Sequence, residues 1–185
     1  MSLSMDSMYQ QIIIDHYKNP QHRGLPENFD AEVHHVNPTC GDEVTVRVKL
    51  ADGTISSLGW DGEGCSISQA STSVMSELVT GKPVSHAIDL QEKFLELMQS
   101  QGKAQLSEDD EDELEDAVAF EGVSRYPARV KCALLGWMAM KSAVAEAGWA
   151  DSDPSRQRAD TPDRVEDVVD ASAELNTPTK DAGTE

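Results

Sequence analysis

Residues 43–61 read EVTVRVKLADGTISSLGWD, and this stretch decides the fold. In residues 43–50, valine or leucine alternates with threonine, arginine and lysine, a period of two that is typical of a strand with one buried face. Residues 51–53 (ADG) are a hairpin signal, and residues 54–61 predict the next strand. Residues 31–36 predict an earlier one. We therefore expect a three-stranded antiparallel meander.

Helical periodicity flanks this meander on both sides. Apolar residues recur at i, i+3, i+4 and i+7, the pattern of an amphipathic helix. The predicted helices cover residues 5–19, about 67–80, 84–98 and 127–148. Ser66 is a plausible N-cap of the second helix and Gly81 its stop. Residues 108–116 hold eight acids and one apolar residue, which fits either an exposed helix or a loop and is most simply a solvated face. Strands followed by helices predict an α+β fold, with helices packed on one face of a small antiparallel sheet.

Composition divides the chain into two parts and excludes several classes of function. The 185 residues carry a formal net charge of −19, so nucleic acid and anionic membranes are excluded as main partners. Residues 151–185 hold ten acids, four bases and no aromatic residue, a composition that cannot bury enough apolar surface to order itself. We expect a folded domain over residues 1–150 and an acidic, disordered C-terminal tail over residues 151–185.

Three cysteines suggest a reducing, cytoplasmic setting, since an odd number is poorly explained by a disulfide framework. Cys40, Cys65 and Cys132 all fall where predicted elements begin or end. With Asp42, they make a plausible tetrahedral donor set for Zn²⁺, and thiolates also suit iron–sulfur clusters. The alternative is that the cysteines are small buried hydrophobic residues. Spacing alone leaves both interpretations open, because no CxxC pair is present.

The charges near these residues bear on the metal interpretation. Three thiolates, one carboxylate and Zn²⁺ leave a net negative charge, which is costly in a partly buried site without nearby cations. Arg125, Arg129 and Lys131 surround Cys132 in the sequence, although they also fit a solvated helix start. Cys65 precedes a helix, whose positive dipole end favours a thiolate. His16, inside the first predicted helix, is interpreted as a structural contact rather than a ligand.

Four segments together resemble a known family. They are residues 15–20 (DHYKNP), 37–42 (NPTCGD), 62–68 (GEGCSIS) and 129–133 (RVKCA). They resemble the SufU family, which shares the IscU/NifU N-terminal fold of iron–sulfur cluster assembly proteins. The likeness covers about residues 5–148. Lys131 stands where IscU-type scaffolds carry histidine, and the stretch around 100–122 is similar to the SufU-type insertion.

The resemblance implies a function and a set of site residues. It implies a zinc site formed by Cys40, Asp42, Cys65 and Cys132. It further implies that Cys40 takes sulfur from the persulfide of a SufS-type cysteine desulfurase, as a sulfurtransferase-type carrier that serves downstream iron–sulfur assembly proteins. Arg125 is a candidate to steady the anionic sulfur or the partner. Two alternatives remain: a scaffold that holds a transient iron–sulfur cluster, as in IscU-type relatives, and a zinc-stabilised interaction domain.

Overall fold

A computed structural model describes residues 5–149, in which a three-stranded meander is followed by a run of helices. The elements are α1 (Met5–Lys18), β1 (Ala31–Asn37), β2 (Asp42–Ala51), β3 (Thr54–Glu63), α2 (Ser66–Val79), α3 (Val84–Gln99), α4 (Glu108–Leu114), a 3₁₀ helix (Glu115–Arg125) and α5 (Pro127–Glu146). The strands and the long helices that the sequence predicts are confirmed to within a few residues. The acidic tail expected over residues 151–185 lies outside the described residues.

The sheet has the order β1-β2-β3, and both pairings are antiparallel. Val46 of β2 lies between Val33 of β1 and Trp60 of β3, so the alternation predicted from sequence becomes one buried face. Asp52 and Gly53 connect β2 to β3, and both have positive φ angles, +51° and +71°. A two-residue hairpin turn needs this conformation, which asparagine, aspartate and glycine tolerate best.

Helices α2 and α5 cover the buried face of the sheet, with α5 against β1 and β2 and α2 against β3. The two helices approach closely at Gly136, where a Cβ atom would collide with the Thr72 hydroxyl. Trp137 of α5 stacks on Phe94 of α3, with ring centroids 4.6 Å apart, and its indole N–H donates to the Ser71 hydroxyl at 3.1 Å. This packing confirms the α+β architecture with helices on one side of the sheet.

The acidic stretch 108–116 forms the short helix α4 and the start of the 3₁₀ helix. Leu114 is fully buried and anchors the segment to the core. Lys93 of α3 contacts carboxylate oxygens of Asp110 and Glu113, each at 2.7 Å. These two hydrogen bonds raise the pKa of Lys93. The stretch is therefore fixed to the core by Leu114 and to α3 by Lys93, which a purely solvated face would not be. No described helix is long and apolar enough to cross a membrane.

Candidate metal centre

Cys40 lies on the short turn between β1 and β2. Asn37 shapes this turn, because its side-chain oxygen accepts from the Thr39 N–H at 3.2 Å and its carbonyl accepts from the Gly41 N–H at 2.8 Å. Gly41 adopts a φ of +74°, in the region that glycine enters without steric cost. The turn leaves the Cys40 side chain exposed.

Asp42, the first residue of β2, is buried and is fixed by the loop that precedes α2. One carboxylate oxygen accepts from the Cys65 N–H at 2.9 Å, and the other lies 3.5 Å from the Cys65 sulfur. A Cβ atom on Gly64 would lie 2.7 Å from the Asp42 carboxylate, so this loop position has room only for glycine. The absent side chain leaves a space that the carboxylate fills.

Cys65 is itself the N-cap of α2. Its sulfur accepts from the Ser68 N–H at 3.4 Å. The expectation that Ser66 caps the helix was wrong by one residue, since Ser66 is already the first residue of α2. Gly81 follows the C-cap Thr80 with a φ of +79° and ends the helix as predicted. The Cys65 sulfur therefore lies at the N-terminal end of α2, where the helix dipole is positive.

Cys132 comes from the second turn of α5 and is only 1% exposed. Its sulfur lies 3.1 Å from the Cys40 sulfur. The Asn37 amide group donates to the Cys40 sulfur at 3.0 Å and lies 4.0 Å from that of Cys132. Burial raises the pKa of the Cys132 thiol, and contacts with Cys40, Asp42 and Cys65 raise it further. Without a cation, this thiol therefore stays protonated.

Three of these side chains lie close enough to share a zinc ion, and Cys65 lies beside them. The donor atoms of Cys40, Asp42 and Cys132 all lie within 4.8 Å of one another, and the Cys65 sulfur is 3.5 Å from the Asp42 carboxylate. Two sulfurs on a tetrahedral zinc stand about 3.8 Å apart, given Zn–S bonds of about 2.3 Å. Thiolates with one carboxylate suit zinc, and thiolates also suit iron–sulfur clusters. A bound cation would deprotonate the thiols, including Cys132, whose pKa is raised mainly by burial.

Arg125, the remaining candidate for the site, lies against the loop that follows α3. Its side chain covers Gly102, where a Cβ atom would come within 2.5 Å of the guanidinium Nε. It lines a groove together with Arg129 and with Ser66, which follows Cys65. Arg125, Arg129 and Lys131 are exposed, and none forms a salt bridge to a carboxylate of the described chain. Three bases that form no salt bridge within residues 5–149 therefore lie close to Cys132 in the sequence of a strongly acidic protein.

A second set of residues, which sequence reasoning did not assign, holds the Cys65 loop in place. Arg23 donates to the carbonyl of Gly62 at 3.1 Å and to the side-chain oxygen of Gln69 at 3.0 Å. Gln69 in turn donates to the carbonyl of Gly64 at 2.8 Å. Asn37 was also missed as a partner of sulfur. An asparagine before Pro-Thr-Cys-Gly signals a side-chain-stabilised turn and could have been identified on that ground.

Comparison with known proteins places this geometry in a family. Residues 8–146 match the NifU-like N terminal domain. The chain is 41% identical over 143 residues to the zinc-dependent sulfurtransferase SufU of Bacillus subtilis strain 168, which covers 77% of this chain and 93% of that protein. It is 37% identical over 145 residues to the iron–sulfur cluster assembly scaffold protein IscU of Streptococcus pyogenes serotype M1, covering 78% and 87% of the two chains.

Solved structures agree with the sequence comparisons. A structure assigned as an iron–sulfur cluster assembly scaffold protein for the SUF system, from Fervidobacterium islandicum AW-1, superposes with a TM-score of 0.67 at 32% identity. The match covers 76% of this chain and 99% of that one. The chain therefore belongs to the NifU-like N-terminal domain family of iron–sulfur cluster assembly proteins.

Proposed function

We propose that this protein accepts sulfur on Cys40, as a persulfide, from a SufS-type cysteine desulfurase and passes it on for iron–sulfur cluster assembly. Zinc held by Cys40, Asp42, Cys65 and Cys132 supports the transfer. The observation that carries the proposal is the contrast between two adjacent sulfurs. Cys40 is exposed on a turn, whereas Cys132, whose sulfur is 3.1 Å away, is buried.

This contrast separates a reactive site from a purely structural one. Structural zinc sites are usually closed, with every ligand enclosed by the fold. Here Asp42 and Cys132 are buried, Cys65 is partly buried and Cys40 is exposed. A partner can reach the Cys40 sulfur directly, while the other three side chains keep their hold on the metal. The centre is therefore suited to exchanging one ligand at a time.

The transfer needs no external oxidant or reductant. The Cys40 thiolate attacks the outer sulfur of the desulfurase persulfide, so that a new S–S bond forms at Cys40. The S–S bond of the donor breaks, and the desulfurase cysteine leaves as a thiolate, as in thiol–disulfide exchange. Bound zinc would supply the thiolate at neutral pH. The Asn37 amide group, which donates to the Cys40 sulfur at 3.0 Å, stabilises negative charge there.

The likeness to the Bacillus subtilis zinc-dependent sulfurtransferase SufU supports this function, as does Lys131 before the third cysteine. Arg125 and Arg129, which form no salt bridge to the described residues, support a docking role for the groove that they line, and we propose that Arg125 contacts the partner or the transferred sulfur. A second candidate function is a scaffold for a transient iron–sulfur cluster. Two thiols and a carboxylate around one point, with the Cys65 thiol beside them, favour it too, and so does the likeness to the Streptococcus pyogenes IscU.

Desulfurase turnover tests the proposal. Alanine release by a SufS-type desulfurase, supplied with cysteine, is measured with the wild-type chain, with Cys40→Ala and with the matched control Thr39→Ala. Thr39→Ala changes the neighbouring exposed side chain but keeps the backbone N–H that bonds to Asn37. We expect wild type and Thr39→Ala to accelerate turnover equally and Cys40→Ala to give no acceleration.

Metal analysis of the same samples distinguishes the two candidate functions. The sulfur-acceptor proposal predicts zinc in the wild-type protein as purified. Acceleration by Cys40→Ala equal to wild type would refute the role of Cys40. Iron and inorganic sulfide bound in place of zinc, without any acceleration of the desulfurase, would favour the scaffold.

A further inference from the structure

His16 of α1 is buried at a junction of three elements, and only 7% of the residue is exposed. Its Nδ1 lies 2.8 Å from the hydroxyl of Ser73 in α2, and that hydroxyl also accepts from the Gln21 N–H at 2.7 Å. Ser73 therefore fixes the orientation of the ring. The other ring nitrogen, Nε2, faces Asp116 of the 3₁₀ helix at 3.1 Å and Glu77 of α2 at 3.8 Å.

Among the residues that the structure describes, His16 is the one cationic partner of the two carboxylates. Their side chains are about half exposed, 50% for Asp116 and 56% for Glu77. Within the described residues, neither lies within salt-bridge distance of a lysine or arginine. Both line a cavity that opens to solvent, and Asp15 adds a third carboxylate to its wall. A buried imidazole thus points into an acidic opening that hydrated cations can enter.

We propose that His16, Glu77 and Asp116 form a second metal site, which binds a first-row divalent cation of the Mn²⁺ or Fe²⁺ type. One donor atom from each residue lies within 4.8 Å of the other two. Adjacent ligands of an octahedral ion stand about 3 Å apart when the metal–ligand bonds are near 2.1 Å. The ring nitrogen opposite the metal commonly has a hydrogen-bond partner, and Ser73 provides one.

This site differs from the thiolate centre in both place and chemistry. Glu77 follows Cys65 by twelve residues in the sequence, which corresponds to about 18 Å along α2. One imidazole and two carboxylates suit Mn²⁺ and Fe²⁺, whereas thiolates suit softer ions. The sequence-based interpretation of His16 as a structural contact stands for its Nδ1. The structure adds a ligand role for Nε2, through which a cation would join α1 to α2 and the 3₁₀ helix.

Mn²⁺ binding followed by electron paramagnetic resonance tests this site. The full chain, loaded with one equivalent of zinc to occupy the thiolates, is titrated with MnCl₂ in about 0.15 M salt, which limits diffuse binding to the acidic surface. Asp116→Asn and Glu77→Gln each replace one charged carboxylate ligand with a neutral amide at a half-exposed position. Glu92→Gln removes an exposed carboxylate of α3 and is the matched control. Nitrogen modulation in the echo spectrum reports whether an imidazole is bound to the ion.

The result expected is one Mn²⁺ per chain with nitrogen modulation that disappears in His16→Gln. Asp116→Asn and Glu77→Gln weaken binding at least about tenfold, and Glu92→Gln leaves it unchanged. Three results would overturn the proposal: no Mn²⁺ bound at this salt, equal weakening in Glu92→Gln and Asp116→Asn, or bound Mn²⁺ without nitrogen modulation. Because Asp116 and Glu77 are exposed enough to be replaced without unfolding, the proposal stays testable even if His16→Gln fails to fold.

Discussion

Replacing Gly64 with alanine should damage the metal centre from outside the set of ligands. A Cβ atom at this position would lie 2.7 Å from Oδ1 of Asp42, 2.9 Å from its Cγ and 3.0 Å from its Cβ. Ordinary contacts at these atoms are about 3.4–4 Å. Either the Asp42 carboxylate or the loop that carries Cys65 must therefore move by several tenths of an ångström.

The size of the effect follows from the two ways of relieving this clash. If the neighbours stay and absorb the added methyl group, overpacking costs about 1–3 kcal/mol. If the carboxylate moves away, the 2.9 Å hydrogen bond from the Cys65 N–H is lost, and a bond to a charged group is worth about 1.5–3 kcal/mol. Both routes predict a loss of about 2 kcal/mol in the free energy of unfolding. Because a ligand or the loop beside it is displaced, zinc affinity should also fall by about 10–100-fold.

Gly53→Ala is the matched control for this change. Gly53 lies on the hairpin with a φ of +71°, and a Cβ atom there would have no neighbour within 4 Å. Alanine should cost about 1 kcal/mol in stability there, from backbone strain alone. Zinc affinity is measured by competition with a chromophoric chelator, and stability by denaturant unfolding. Wild-type zinc affinity in Gly64→Ala would refute the claim that this loop fixes Asp42 as a ligand.

Three further predictions concern the metal, the C-terminal tail and the different roles of the ligands. Elemental analysis should find one zinc per chain, and chelation should lower the melting temperature, because the metal joins four ligands from three distant segments. Iron instead of zinc, or an unchanged melt, would contradict this. A chain that ends at Ala150, without residues 151–185, should keep its melting temperature and should still accelerate the desulfurase, because the removed residues lie beyond the last motif. A large loss of acceleration would show that the tail contacts the partner. Asp42→Ala and Cys65→Ala should weaken zinc binding and destabilise the fold, whereas Cys40→Ala should fold but accept no sulfur. Wild-type melting temperatures for Asp42→Ala and Cys65→Ala would argue against their roles as ligands.

The sheet and the long helices could be predicted from sequence because their apolar residues follow strict periods. Val44, Val46 and Val48 alternate with polar residues, and all three are buried in the sheet. The acidic stretch 108–116 has no such period, so helix and loop could not be distinguished there. Its position depends on tertiary contacts, namely the burial of Leu114 and the pairing with Lys93, which no local pattern reveals.

The metal centre was only partly predictable. Cys40, Asp42, Cys65 and Cys132 could be named as candidate ligands, and the family resemblance grouped them, but their spacing fixes no distances. The structure brings three of them together through the β1–β2 turn and the second turn of α5. It also adds the hydrogen bond from Asn37 to sulfur. The cluster around His16 could not be foreseen, because its carboxylates come from elements far apart in the sequence.

Mass mapping of the transferred sulfur tests the central claim most directly. The chain is incubated with desulfurase and cysteine, alkylated without reduction and digested with trypsin. The three cysteines fall in three separate peptides, residues 24–47, 50–93 and 132–141, since the Lys82–Pro83 bond resists cleavage. We predict that about 32 Da, one sulfur atom, is added to the peptide 24–47 that contains Cys40. Added sulfur on either of the other two peptides, with the Cys40 peptide unmodified, would contradict the assignment of Cys40 as the acceptor.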